Sequence, residues 1–385
     1  MGGSRRRRVI FFSPSHREPG GAEKRARLIA NQLAQRGWEV RVVARGSNQR
    51  RFHLDRSANL TIFEVPNFEY SRAGTVLYLV TAIVVGSAWA RRRSVYLALQ
   101  LYSPLMAAGL CGRLRRRPYL ALATTSGQSG EAESLEGGAA PRGHWSGAAY
   151  RLDRRVRRTL LGRADAVLAQ TDAAADELGA YVAADRIMVL PSPVGTVTPP
   201  PLSGDRSVLF AGTFEVQKDL PRLLDAWHAV LARLPDARLT LVGGGRPGDL
   251  LPELRATVNG DGALTASVAV MEWVPDLAAL LGAHDVFVLP SVTEGMSNAL
   301  VEACAWGRVV VASDIAANRF VLGDSYPLLY PVGDTAALAT ALTRALTDAE
   351  LRDEARTLAL TRAERFSITS VMDTLESLLV AASET

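Results

Sequence analysis

Apolar and polar positions alternate along this chain on two periods. Short apolar runs recur at Val9 to Ser13, Glu39 to Ala44, Leu60 to Val65, Val95 to Leu99, Tyr119 to Ala123 and Ala166 to Ala169 in the first half. Ser207 to Ala211, Arg238 to Val242, Val268 to Met271, Val286 to Leu289, Val309 to Ala312 and Leu328 to Tyr330 continue the series in the second. Runs of that length, without clean alternation, read as strands buried on both faces. Between the first two, Glu23 to Gly37 carries Ala26, Ile29, Ala30, Leu33 and Ala34 at helical spacing and closes on Gly37, a C-terminal signal. Leu220 to Arg233, Leu277 to Gly282, Ala299 to Ala305, Thr335 to Thr347 and Ile368 to Ala382 read as further helices. Strand–helix–strand alternation implies parallel sheets with right-handed crossovers. The expected class is α/β, built of Rossmann-like doubly wound sheets.

A chain of 385 residues suggests two domains. The stretch PSPVGTVTPPPLSGD, residues 191–205, holds five prolines and two glycines, which argues against a helix or central strand. It divides an N-terminal domain, 1–190, from a C-terminal domain, 205–366, with 191–204 as linker. The final helix, 367–385, is expected to pack back on the N-terminal domain. Two such domains facing each other would leave a cleft at the carboxyl ends of their strands, where ligands bind.

Charge separates the halves. Up to residue 190 there are 30 Lys and Arg against 15 Asp and Glu; beyond it there are 14 against 24. The arginines cluster at Arg5 to Arg8, Arg91 to Arg93, Arg115 to Arg117 and Arg151 to Arg158. Such clusters suit an anionic membrane face, or a plain solvated surface. No aromatic–basic interleaving marks base stacking, so nucleic acid is not an expected partner. The four apolar residues after Arg8 are too few for a signal peptide and read as the first strand. The segment GTVLYLVTAIVVGSAWA, 74–90, is uncharged and near the lower limit for a span. Its glycines and hydroxyls fit a buried or interfacial helix better. Two distant cysteines, Cys111 and Cys304, fit neither a disulfide framework nor a zinc site, and point to a reducing, cytosolic setting.

The stretch carrying most chemistry is DVFVLPSVTEGMSNALVEACAWG, 285–307. A buried strand would deliver Ser291 to Ser297 to the carboxyl edge, and Ser297 or Asn298 would cap the next helix. The amides of Met296, Ser297 and Asn298 then face outward at a positive helix end, an anion site, and Gly295 lets the backbone come close. Glu294 stands before the helix and Glu302 within it, each able to accept from sugar hydroxyls. A phosphate-binding turn between two hydroxyl readers describes a nucleotide-sugar site. The same residues also fit a helix whose first Glu answers its dipole and whose second is solvated.

DVFVLPSVTEGMSNALVEACAWGRVVVASDIAANR strongly resembles the signature of glycosyltransferase family 4, retaining enzymes of the GT-B fold, with the same spacing between the two Glu residues. The resemblance implies that Glu302 binds the ribose, that Glu294 lies by the donor sugar, and that Gly295 to Asn298 hold sugar and diphosphate through their backbone. In VLFAGTFEVQKDLPRLLDAW, 208–227, it places Gly212 at a strand end. Lys218 then meets the donor diphosphate and eases leaving-group departure. Glu294 and Lys218 are thus the expected catalytic groups. Where the family often has an arginine after this glycine, the chain has Thr213. Gly20 and Gly21 would close over the donor phosphate, and the base would lie along 270–276, against Trp273 and Val274. Val242 to Gly248 resembles a nucleotide-binding glycine loop only weakly.

No Asp-any-Asp motif ends a strand, so neither a metal nor another cofactor is expected beside the nucleoside-diphosphate sugar. The family reaction is front-face attack, with a donor diphosphate oxygen taking the acceptor's proton. Relatives often hold a histidine near the reacting sugar; none of His16, His53, His144, His228 and His284 falls convincingly there. The loop 121–138 offers Thr124 to Ser126 and Glu131 instead. The expected activity is retaining transfer of a sugar to a hydroxyl acceptor. The basic face and the 74–90 helix point to a lipid-linked or cell-surface saccharide, handled by a cytoplasmic protein at the inner membrane face. A nucleotide-sugar 2-epimerase and a silent nucleotide-sugar binding protein are the alternatives.

Overall fold

The computed structural model describes residues 7–13, 21–46, 58–66, 71–123, 135, 147–244, 248–274 and 276–384. The chain forms two compact units, Met1–Pro193 with Thr369–Thr385, and Val194–Ile368.

In the first unit the strands are β1 (Arg8–Ser13), β2 (Glu39–Arg45), β3 (Leu60–Val65), β4 (Ser94–Leu99), β5 (Tyr119–Leu122), β6 (Ala166–Ala169) and β7 (Ile187–Val189). All described pairings are parallel, in the order β3-β2-β1-β4-β5-β6-β7. β1, β4, β5 and β6 are buried along their whole length, as apolar runs without alternation require. The helices are α1 (Gly21–Gln35), α2 (Arg72–Trp89), α3 (Ser103–Arg115), α4 (Gly147–Leu161) and α5 (Asp172–Leu178). β7 is absent from the sequence reading: three residues on a sheet edge leave no period to detect.

α2 starts at Ser71, whose hydroxyl accepts from the Gly74 amide at 3.1 Å. One side of it lies on the sheet. A Cβ on Gly86 would sit 2.6 Å from the Phe12 ring, so glycine permits that contact. The other side keeps Val76, Val80 and Val84 in solvent, at 44, 56 and 62 % exposure. By length and composition the helix is also apolar enough to cross a membrane.

The second unit has β8 (Ser207–Ala211), β9 (Arg238–Gly244), β10 (Val268–Glu272), β11 (Val286–Leu289), β12 (Val309–Ser313) and β13 (Leu329–Tyr330). Their order is β10-β9-β8-β11-β12-β13, again parallel. Around it lie α6 (Leu220–Leu231), α7 (Leu251–Gly260), α8 (Gly262–Ser267), α9 (Ala278–Ala283), α10 (Asn298–Ala305), α11 (Ala316–Leu322), α12 (Thr335–Thr347) and α13 (Ala349–Ala363). The last helix, α14 (Ile368–Glu384), joins the first unit. There Arg36 donates to Asp373 at 2.5 Å and to Glu376 at 3.0 Å, and the Trp38 indole donates to Glu376 at 2.9 Å.

The proline-rich stretch is fastened rather than loose. Ser192 is buried and accepts from Gln170 at 2.9 Å. Further on, the Ser203 and Gly204 amides donate to buried Asp285 at 2.7 and 2.8 Å, and Arg308 and Arg356 both donate to the Pro200 carbonyl.

Candidate functional site

In the second sheet the strand order reverses between β8 and β11. Connections leaving these neighbours run to opposite faces, which opens a crevice outside their carboxyl ends. The two segments singled out in the sequence are the ones that follow these two strands.

After β8 comes Gly212, whose amide donates to the Val242 carbonyl at 3.0 Å. β9 approaches so closely here that a Cβ on Gly243 would lie 1.8 Å from the Gly212 oxygen; Gly243 also has φ +135°. Gly244 lies against the Phe214 ring, 2.6 Å from where its Cβ would be. The first glycines of 242–248 therefore serve backbone packing that fixes the end of β8. Thr213 follows, partly buried. A short 3-10 turn, Val216–Lys218, and Asp219 in the left-handed region (φ 49°) then lead into α6. Lys218 thus stands just before the helix.

After β11 the chain turns through Pro290, and the Val292 amide donates to the Gln217 carbonyl at 2.9 Å, tying the two loops together. That contact brings the Lys218 ammonium onto the Glu294 carboxylate, with side-chain exposures of 12 and 9 %. The Ser291 hydroxyl donates to the same Glu294 oxygen at 2.7 Å. Ser291 is fully buried, and its carbonyl accepts from the Ser313 hydroxyl. Ser313 in turn accepts from the Asn318 amide, at 2.8 Å on its carbonyl and 3.2 Å on its hydroxyl. The result is one polar chain, Asn318–Ser313–Ser291–Glu294–Lys218, from inside the sheet to its carboxyl edge. Each link restricts the next, so Glu294 is oriented before any ligand arrives.

Ser297 caps α10, its hydroxyl accepting from the Leu300 amide at 3.3 Å. Among the described residues no hydrogen bond takes up the amides of Met296, Ser297 and Asn298. These donors at a helix start, with Gly295 beside them, are arranged for an anionic group. Glu302 lies one helical turn further on, partly buried, its carbonyl accepting from the Trp306 amide. Trp273 is partly buried, with its amide donating to the Gly244 carbonyl at 2.8 Å, and Val274 packs on the core. Both follow β10, two strands away from β8.

Gly21 begins α1, while Gly20 lies outside the described residues. So do His16, His53, His144, Thr124 to Ser126 and Glu131. The two described histidines serve the scaffold. His284 bridges the Leu280 carbonyl and the Thr240 hydroxyl, and His228 meets Asp261 at 3.0 Å. Asp261 raises the pKa of His228. Among the described residues no three His, Cys, Asp or Glu side chains gather to hold a metal. The sequence placed Ser291 at the carboxyl edge without a role, and gave Ser313 and Asn318 no place in the site. The Ser-x-x-Glu spacing of Ser291 and Glu294 was the available signal; Ser313 and Asn318 join only through strand order.

Two family profiles match. The one described as "Glycosyl transferase 4-like domain" covers residues 20–193, and "Glycosyl transferases group 1" covers 205–348. The chain belongs to glycosyltransferase family 4. The match to 205–348 takes in both loops of the crevice and the whole Glu294–Glu302 stretch. Of the curated family 4 relatives, a phosphatidyl-myo-inositol mannosyltransferase of Mycobacterium leprae is 37 % identical over 153 residues, 38 % of this chain and 39 % of that protein. A UDP-Gal:alpha-D-GlcNAc-diphosphoundecaprenol alpha-1,3-galactosyltransferase of Escherichia coli is 28 % identical over 148 residues, 38 % of each chain. The matched stretches thus span about two fifths of these relatives. HepE of Anabaena, crystallised with UDP, has the same GT-B fold, with a TM-score of 0.74 at 19 % identity over 97 % of this chain and 100 % of that one.

Proposed function

We propose that this protein is a retaining glycosyltransferase that takes a sugar from a nucleoside diphosphate. The Val194–Ile368 unit would hold the donor and the other unit the hydroxyl acceptor. One observation carries the reading: Lys218 and Glu294 meet at the carboxyl edge, where β8 and β11 diverge, beside the unfilled amides of α10. In this reading the α10 amides and Lys218 take the diphosphate, and Glu302 takes the ribose hydroxyls. Lys218 offsets the charge that grows on the departing diphosphate, where a preorganised cation in a partly dry site is most effective. Glu294, held through one oxygen by Ser291 and Lys218, offers its other oxygen to a hydroxyl of the donor sugar. Trp273 and Val274 border the base. No step calls for a metal, and a diphosphate oxygen receives the acceptor proton.

The acceptor we propose is a lipid-linked or cell-surface saccharide intermediate, met at the cytoplasmic face of a membrane. Support comes from the curated relatives, whose names specify a phosphatidyl-inositol and a diphosphoundecaprenol acceptor, and from the basic first half of the chain. The test is thermal-shift titration with UDP, GDP and ADP sugars. One of them should raise Tm, and Glu302→Ala should weaken that binding roughly tenfold or more, the loss of charge-assisted hydrogen bonds. No shift with any nucleotide sugar would overturn the donor assignment. Donor binding with no nucleoside diphosphate released, with or without acceptor lipid, would point to a silent binding protein. Conversion of the sugar without an acceptor would point to an epimerase.

A further inference from the structure

The arginine clusters gain a meaning from sheet topology. Because every described strand of the first sheet is parallel, the residues just before each strand share one edge, opposite the carboxyl ends. Arg91 to Arg93 precede β4, Arg115 to Arg117 precede β5, Arg163 precedes β6 and Arg186 precedes β7. At β1 and β2 the charge is answered: Arg8 pairs with Glu39 at 2.6 Å, Arg41 with Glu39 at 2.7 Å, and Arg7 with Glu384 at 3.3 Å. At β5 and β6 it is not. There a pocket of about 300 Å³ is lined by Gly112, Arg113, Arg116, Arg117, Tyr119, Arg163 and Asp165, with Pro118. Asp165 is its carboxylate, and one oxygen accepts from the Tyr119 amide at 2.9 Å. Among the described residues none of these four arginines has a carboxylate within ion-pair distance.

We propose that this pocket is a second anion site, independent of the donor reading, which takes a phosphate-bearing group. Four arginines and a single carboxylate, Asp165, line the pocket, which leaves a net positive charge there; a phosphate would offset it and can accept from guanidinium N–H groups. The pocket is built rather than incidental. Arg116 is held at φ 50°, Arg117 donates to the Arg91 carbonyl at 3.0 Å, and glycine at 112 leaves room where a Cβ would strike Tyr119 at 2.8 Å. Leu114, next to Arg113 on the last turn of α3, stays in solvent beside it. The phosphate has two chemical sources, a phospholipid headgroup or a soluble polyphosphate.

The experiment uses the full chain and a double variant, Arg116→Gly with Arg163→Gln. Glycine suits the positive φ, and Arg163 is exposed, so both should fold. Binding of pyrophosphate is followed by thermal shift against chloride at matched ionic strength, with Lys218→Ala added to both proteins so that the proposed donor site does not answer to the same probe. Binding to phosphatidylcholine vesicles, with and without phosphatidylglycerol, is followed by flotation. The expected result is wild-type binding to pyrophosphate or to the anionic vesicles. In the double variant it should be weaker by roughly tenfold or more, with nucleotide-sugar shifts unchanged. Vesicle binding that pyrophosphate displaces identifies a headgroup; a pyrophosphate shift without vesicle binding identifies a soluble ligand. Equal binding by wild type and variant, or no anion binding by wild type, overturns the site.

Discussion

Two sheet edges in this protein handle charge in opposite ways. At the carboxyl edge of the second sheet, Lys218, Glu294, Ser291, Ser313 and Asn318 form a connected, mostly buried chain. At the amino edge of the first sheet, four arginines line an open pocket without a carboxylate partner among the described residues. A buried charge without a partner is costly, so the first edge must satisfy its groups internally and becomes rigid. Exposed arginines bear a smaller penalty and can wait for a mobile anion. Internal pairing therefore marks the edge arranged for fixed chemistry, and unpaired like charge marks the edge arranged for capture.

The largest effect should come from breaking the backbone under the paired edge. Gly243→Ala places a Cβ 1.8 Å from the Gly212 oxygen at a positive φ, so the end of β8 must move. We expect a loss of more than about 4 kcal/mol in urea unfolding, or no soluble protein. Gly260→Ala, with open space around its Cβ, should cause no comparable loss. Wild-type stability in Gly243→Ala would remove the packing argument.

Next is Lys218→Ala. Among the described residues it leaves the Glu294 carboxylate with the Ser291 hydroxyl alone, and it removes the cation proposed for the diphosphate. kcat/KM should fall by about 10²–10³, with stability lower by about 1–3 kcal/mol. Unchanged turnover would show that the pair serves the fold alone.

Ser291→Ala is subtler, because Ser291 acts through Glu294. Transfer should slow about tenfold in kcat, with the nucleoside-diphosphate Kd unchanged, as the loss of one hydrogen bond to a charged group implies. Ser291→Thr, which keeps the hydroxyl, should recover part of the rate. Equal losses in both would mean that only packing was disturbed.

The smallest effect belongs to the unpaired edge. In the absence of phosphate, Arg163→Gln removes repulsion without breaking an ion pair. Its Tm should be equal to or slightly above wild type at low salt, and the difference should vanish as salt screens the arginines. A marked fall in Tm would show that Arg163 supports the fold, and the contrast between the edges would weaken.

Much of the molecule was legible before folding. The short apolar runs were legible as strands, since a strand covered on both faces, as β1, β4, β5 and β6 are, needs apolar residues at every position. β7 escaped because three residues at an edge, partly exposed, carry no such demand. α7, α8, α11 and α13 were passed over because their short or weakly amphipathic runs stand out poorly from loops. Ser297 as a cap, and the step from Glu294 to Glu302, were readable because both are local features. The glycines at 243 and 244 resembled a nucleotide-binding loop only weakly in the sequence; the close approach to Gly212 and Phe214 that they permit became visible only in the structure.

The sequence alone determined the α/β alternation, the start of α10 at its serine cap and the family to which the chain belongs. These depend on spacing over a few residues or on an unbroken motif. Only the tertiary structure decided that Asn318 and Ser313 stand behind Glu294, and that arginines far apart in sequence line one edge of one sheet. Those relations follow from strand order. Parallel pairing carries every strand start to the same edge, and no local pattern records which strands become neighbours.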